Sequence, residues 1–384
     1  MVLSLRMKKT CKAKLILALS LLAGCAPGPA PGNEKPPGRF SAVTTEAGFD
    51  TVVTLQEWVS SEEEFTRHFS LVQAELRHYN DLFDIYNEYD GLNNIRTINE
   101  NAGIAPVETA PEVIEMLLQA REFYELSGGR FDVTMGALLQ VWHNYRDRGI
   151  ELNLGGTKAP VPDITELQAA AAHGGWDSII IDEENSTVFI TDPEMSLDVG
   201  GIAKGFAVER AAQMLAELQP ASAVINAGGN NRTLASKPDG SPWVVRIQNP
   251  DGGERMLLVE LPGAFSFVTS GDYERYYIGE DGKHYHHIID PETLYPADRY
   301  RSVTVITEDS GAADCLSTAL FVMSLADGRQ LLERYCEAHP GTFCEAVWIM
   351  DAGQAPAREE GRKTGSFFVT WTAGLNDKIT FELN

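Results

Sequence analysis

The run Asp198-Val199-Gly200-Gly201-Ile202-Ala203-Lys204-Gly205 changes character twice within a few residues. It reads as a strand that ends in two glycines, followed by a helix with a lysine near its first turn. Glycines let a backbone approach a ligand closely, and the free N–H groups of a helix start favour anions. The spacing is not that of a P-loop. Outward from this run, the pattern predicts a helix over 202–218 and a strand over 222–226. Upstream it predicts a strand over 50–58, helices over 61–83 and 110–127, and strands over 178–182 and 187–191. The second of those helices carries Val113, Met116, Leu117, Ala120 and Phe123 as one apolar stripe. Downstream come strands over 243–248, 255–261 and 302–307, a helix over 312–335, and hairpin-like segments. Strands and helices interleave without a regular βαβ repeat, so the expected class is α+β, with mixed sheets and interleaved helices, not a doubly wound sheet.

Four other segments carry chemistry. Ile225-Asn226-Ala227-Gly228-Gly229-Asn230-Asn231 is a second strand running into glycines, which alone reads as a tight loop. In Ala313-Asp314-Cys315-Leu316-Ser317-Thr318-Ala319, Asp314, Ser317 and Thr318 fall on one helix face, three oxygen-bearing groups suited to magnesium or calcium. The bland reading is an early-helix aspartate with polar neighbours, but this helix is largely apolar and a buried aspartate without a partner is costly. Thr269-Ser270-Gly271-Asp272-Tyr273 and His286-His287-Ile288-Ile289-Asp290-Pro291 offer hydroxyls and a histidine able to act as a general base. Two adjacent histidines on a strand point to opposite faces, so at most one serves. Gly129-Arg130-Phe131-Asp132-Val133-Thr134-Met135-Gly136 follows the second helix and also fits a plain helix-terminating loop.

These five segments, in this order, resemble the ApbE family of FAD:protein FMN transferases, from about Phe49 to beyond Met323. The resemblance implies a T-fold-like, bilobed single catalytic domain over 39–384, with FAD as substrate and Mg2+ at its diphosphate. It implies transfer of FMN to a threonine (sometimes serine) hydroxyl of a flavoprotein subunit of a membrane redox complex, releasing AMP. By position, Asp198 and Lys204 contact FAD, while Arg130, Phe131 and Asp132 form an FAD-binding turn. Tyr86 lies near the flavin, and Asn226, Gly228 and Gly229 form a glycine loop beside the cofactor. Thr269, Ser270, His287 and Ile288 complete the cofactor-binding set, with His287 as the base. The Gly201 carbonyl, Asp314 and Thr318 hold the metal, and Ser317 occupies a neighbouring ligand position. Three departures stand out. Phe49-Asp50-Thr51 replaces a common Met-Gly-Thr, Leu294 replaces a usual glycine, and Asn230 stands where an acidic residue is common. Two alternatives keep the same site: an FAD pyrophosphatase that gives FMN and AMP with water as nucleophile, and a non-catalytic flavin-binding lipoprotein.

The ends and the composition place the domain. Arg6, Lys8, Lys9, Lys12 and Lys14 precede an apolar run from Leu15 to Ala23, a secretory signal over 1–24 too short to span a bilayer. Leu22-Ala23-Gly24-Cys25 resembles the bacterial lipobox, which implies lipidation of Cys25 and an extracytoplasmic enzyme anchored to the cell membrane. Residues 25–38 are rich in proline and read as a tether. Without residues 1–24, which hold five basic residues and no acidic one, the formal charge moves from -24 to -29. That balance argues against nucleic acid as a partner and demands local compensation wherever phosphate binds. Cys336 and Cys344 are candidates for a disulfide, Cys315 for a buried thiol, and no Cys/His zinc spacing exists.

Overall fold

In the computed structural model, which describes residues 36–253, 255–357 and 359–382, the first elements are antiparallel strands β1 (Gly38–Thr44) and β2 (Val53–Val59). Val53, Leu55, Glu57 and Val59 turn to the buried side of β2, as the two-residue period of a strand requires. Helix α1 (Glu62–Phe83) packs against β2; Ser61 caps it, its hydroxyl accepting the Glu64 N–H at 3.2 Å. Next come α2 (Ile95–Glu100), β3 (Val107–Glu108), α3 (Pro111–Ser127), α4 (Gly136–Leu154) and α5 (Ile164–Ala171). The hairpin β4 (Ile179–Asp182) and β5 (Thr187–Ile190) precedes α6 (Ala203–Glu217). Strands β6 (Ser222–Ala227), β7 (Asn230–Thr233), β8 (Trp243–Ile247), β9 (Leu257–Leu261) and β10 (Ser266–Gly271) follow, with short β11 (Tyr277–Ile278) and β12 (His284–Tyr285). The chain continues through β13 (Ser302–Thr307), α7 (Ser310–Val322), α8 (Leu325–Ala338), β14 (Cys344–Asp351), β15 (Arg362–Thr364), β16 (Phe367–Trp371) and β17 (Ile379–Phe381).

Nine strands form one sheet in the order β1-β2-β6-β7-β10-β13-β14-β16-β15, with every ladder antiparallel. Pro37–Asn384 form one compact unit. Helices α1, α3, α6, α7 and α8 bury their apolar faces against one side of this sheet, where Leu55, Ile225, Val303, Val305 and Trp348 lie. On the other side Ile306, Val347, Ile349 and Val369 pack against the small sheet β17-β9-β8. A third, separate apolar cluster holds Leu138 and Trp142 of α4, Leu167 of α5, Tyr277 of β11 and Ile289. The α+β class with interleaved helices is what the chain adopts.

Several boundaries differ from the sequence reading. The signal 1–24, Cys25 and most of the 25–38 tether lie outside the described residues, and Gly38 already pairs with Val59 at the start of β1. The helix expected over 312–335 is two helices: Ser324 accepts the Asp327 N–H at 3.2 Å and starts α8 afresh. The chain before Gly200 makes no ladder; Leu197 N–H donates to Asn99 Oδ1 at 2.7 Å and Asp198 N–H to the Val133 carbonyl at 2.9 Å. Cys336 and Cys344 are free thiols, as is buried Cys315. The hydrogen bond from Cys344 brings the Cys336 thiol down to about 7. No helix among the described residues is long and apolar enough to cross a membrane.

Three residues that depart from the resembled pattern occupy left-handed backbone: Phe49 at φ 58°, Asp50 at φ 46° and Leu294 at φ 64°. Left-handed φ places Cβ against the chain's own carbonyl, which glycine avoids. Asp50 is exposed, so side-chain packing does not obscure the backbone effect. Asp50→Val is expected to cost about 1–2 kcal/mol in chemical denaturation and Asp50→Gly essentially nothing. Equal stability of the two variants would contradict a left-handed residue here.

Candidate active site

The centre of the site is the contact between α6 and α7. Gly205 makes it possible, because a Cβ there would lie 2.6 Å from Asp314 Cβ. At this approach the Gly205 N–H donates to Asp314 Oδ2 at 2.9 Å. Asp314 is 5% exposed, and burial pushes its carboxyl above the usual range, opposed by Lys204 and the Gly205 N–H. A carboxylate has room for several donors, so one short hydrogen bond leaves acceptor capacity that suits a hard cation. On the next turn of α7, Thr318 Oγ1 would stand 3.6 Å from a Cβ on Gly201, and the Phe131 ring 3.0 Å from the same point. Gly201, Asp314 and Thr318 therefore meet. Among the described residues no three His, Cys, Asp or Glu side chains form a metal cluster. A cation here would use one carboxylate with hydroxyl and carbonyl oxygens, a donor set that fits magnesium with water and phosphate completing its shell.

Ser317 shares the helix turn but is occupied. Fully buried, it donates to the Asp314 carbonyl (3.0 Å) and meets the Ser270 hydroxyl at 2.9 Å, tying α7 to β10. Thr269 is not brought to the site. It pairs across the ladder with Thr304, whose hydroxyl lies 2.8 Å away, on the sheet face that carries Ile306. Ser270 points the other way, toward α7; strand alternation separates the two hydroxyls.

A second wall surrounds Asp198. Its Oδ1 accepts the Gly200 N–H at 2.9 Å, and its Oδ2 lies 3.6 Å from His143 Nε2 on α4. His143 Nδ1 lies 3.3 Å from the Tyr86 hydroxyl. His287 is half-buried, and its Nδ1 has no hydrogen-bond partner. Burial first, then His286, Arg275, Lys204 and Arg146, push its imidazole down to about 3. Three cations acting on one neutral imidazole in a chain of formal charge -24 supply the local compensation that a diphosphate requires. The neighbouring histidine is structural: buried His286 has its Nε2 2.7 Å from the Ala297 carbonyl.

The remaining expected residues frame these walls. Phe131 is buried beneath Gly201, whereas Arg130 turns away to Glu292 and, at 3.7 Å, to Asp290 of the His-x-x-Asp-Pro loop. Asp132 accepts the Thr134 N–H and hydroxyl at 2.8 and 2.7 Å, so it holds the turn together. Ile288 is a core residue. Gly228 and Gly229 make the β6–β7 hairpin turn at φ 54° and 94°, against Thr51, with Asn226 Oδ1 3.4 Å from the Gly229 N–H. Buried Asn230 lies beside Asp314, and its side chain opposes the upward shift of that carboxyl.

The ApbE family model matches residues 49–340 of this chain. The chain belongs to the ApbE family. It is 32% identical to the FAD:protein FMN transferase of Klebsiella pneumoniae (strain 342) over 256 residues, 64% of this chain and 76% of that protein. The FAD:protein FMN transferase of Treponema pallidum (strain Nichols) is 34% identical over 256 residues, 63% of this chain and 68% of its own. Among solved structures, the ApbE protein of Thermotoga maritima superposes with a TM-score of 0.67 at 30% identity, covering 81% of this chain and 94% of its own.

In this family member, sequence reasoning missed His143, Arg146 and Arg275. The signal for the first two was present. Leu138, Trp142, Tyr145, Gly149 and Leu152 recur at helical spacing and mark α4, one flank of which then carries His143 and Arg146. Arg275 sits in the loop after β10 at φ 47°, for which no periodic pattern exists.

Proposed function

We propose that this ApbE family member is an FAD:protein FMN transferase that uses Mg2+ to move FMN from FAD to a threonine or serine hydroxyl of an acceptor flavoprotein. The observation that carries the reading is the 2.9 Å bond between Gly205 N–H and Asp314, which joins the cation-suited helix to the anion-binding turn. Lys204 and the N–H groups after Gly200 would hold the diphosphate. Asp314, Thr318 and the Gly201 carbonyl would hold magnesium, which when bound neutralises phosphate charge and makes phosphorus more electrophilic. His287, whose Nδ1 has no partner in the free protein, would take the proton from the acceptor hydroxyl. The hydroxyl oxygen then bonds to the FMN-side phosphorus as the anhydride P–O bond breaks, and AMP leaves with that oxygen. Incubation with FAD and magnesium should release AMP in step with covalent flavin on the acceptor. AMP and free FMN formed at the same rate without acceptor would favour the pyrophosphatase instead.

The acceptor we propose is a flavoprotein subunit of a membrane redox complex, met outside the cytoplasm by an enzyme tethered through lipidated Cys25. The basic, apolar and small-residue order of 6–25 supports this placement. In a host that processes lipoproteins, Cys25→Ser should abolish labelling by a radiolabelled fatty acid and move the protein from the membrane to the soluble fraction. Unchanged labelling of Cys25→Ser would remove the anchor.

A further inference from the structure

We propose that His143 is a positioning residue that holds the ring of Tyr86 as a wall for the isoalloxazine of bound FAD. The inference rests on the transferase reading above. Tyr86 is 59% exposed, an unusual place for a large aromatic ring beside a polar site. Its backbone is fixed: the N–H donates to Asp84 Oδ1 at 2.6 Å, and its carbonyl accepts from Arg96 at 3.0 Å. Its side chain is not. The one hydrogen bond of its hydroxyl among the described residues is to His143 Nδ1, with the two rings tilted at 45° and their centroids 6.3 Å apart.

His143 is itself held from behind. Its side chain is 16% exposed, it projects from α4, and Asp198 Oδ2 lies 3.6 Å from Nε2. Burial holds its imidazole below the usual range, so the ring is neutral, with one donor and one acceptor nitrogen. Asp198 acts on the ring through its charge at 3.6 Å, beyond hydrogen-bond range, while Nδ1 lies 3.3 Å from the Tyr86 hydroxyl. Asp198 in turn accepts the Gly200 N–H, so the glycine turn that would meet the diphosphate and the ring that would meet the flavin share one line of contacts.

A tyrosine already fixed in the free enzyme does not have to be immobilised on binding. His143→Ala should therefore weaken FAD binding roughly three- to tenfold, the scale for ordering one aromatic side chain. Binding is read by quenching of FAD fluorescence, and steady-state rates should show the loss in KM with kcat little changed. His143→Asn, whose amide can occupy the Nδ1 position, should recover most of the affinity. Tyr86→Ala should weaken binding to a similar degree, and the double variant should be no weaker than the worse single. Losses that multiply in the double variant, or an unchanged affinity in His143→Ala, overturn the inference while leaving the transferase reading in place. Wild-type protein that binds no FAD overturns both.

Discussion

Asp314→Ala is expected to lower kcat/KM for FMN transfer by roughly 10³-fold or more, the scale seen when the charge-stabilising partner of a phosphoryl transfer is lost. A milder replacement separates chemistry from folding. Burial raises the Asp314 carboxyl above its ordinary value, so its ionised form is disfavoured in the native state. For a carboxylate shifted this way, the unfolded chain releases the proton first. Stability then falls as pH rises from the unfolded value, about 3.9, toward the folded one. A bound divalent cation reverses that loss. Asp314→Asn keeps an oxygen for the Gly205 N–H and removes the buried charge. It should therefore melt higher than the wild type at pH 7.5 without magnesium, while losing transfer. Magnesium should raise the wild-type melting temperature and leave the asparagine variant unmoved. An equal magnesium shift in both proteins would detach the cation from Asp314.

His287→Gln should reduce kcat by about 10²–10⁴-fold, the range for loss of a general base, with a far smaller change in FAD affinity. The pH dependence carries a second expectation. Burial and the charges of His286, Arg275, Lys204 and Arg146 depress the imidazole to about 3, so His287 stays neutral through the physiological range. The kcat/KM profile reports the free enzyme. It should show no acid limb from His287 as pH falls from 8 to 5. A limb near pH 6.5 that vanishes in His287→Gln would mean the ring titrates normally and is not shielded.

Much of this was legible in the sequence because the informative features are local. The 302–307 strand has the expected bounds, and α1, α3 and α6 lie within a residue of theirs, since each has a cap or a periodic apolar face. Asp314, Thr318 and Gly201 were likewise readable as types at spacings, although only the α6–α7 contact shows that they meet. What the sequence hid is long-range. Ser317 and Thr269 are polar like their neighbours. One is consumed by Ser270 and the Asp314 carbonyl, the other turned away by strand alternation. Arg130 was expected at the cofactor, yet Glu292, far along the chain, turns it aside. His143 was overlooked because its value depends on Tyr86 and Asp198, one on either side of it in sequence and joined only in the fold. The split between α7 and α8 was masked because Met323 and Leu325 continue the apolar pattern through the Ser324 cap.

In the proposed reaction, Asp314 and the turn at Gly201 present a dinucleotide phosphorus to a hydroxyl of another protein. Mass spectrometry of an acceptor flavoprotein, incubated with enzyme, FAD and magnesium, tests it most directly. The expected result is a threonine or serine peptide carrying one FMN through a phosphoester, absent when Asp314→Ala replaces the wild type. An acceptor left unmodified while FAD is cleaved, or modified equally by Asp314→Ala, would contradict it.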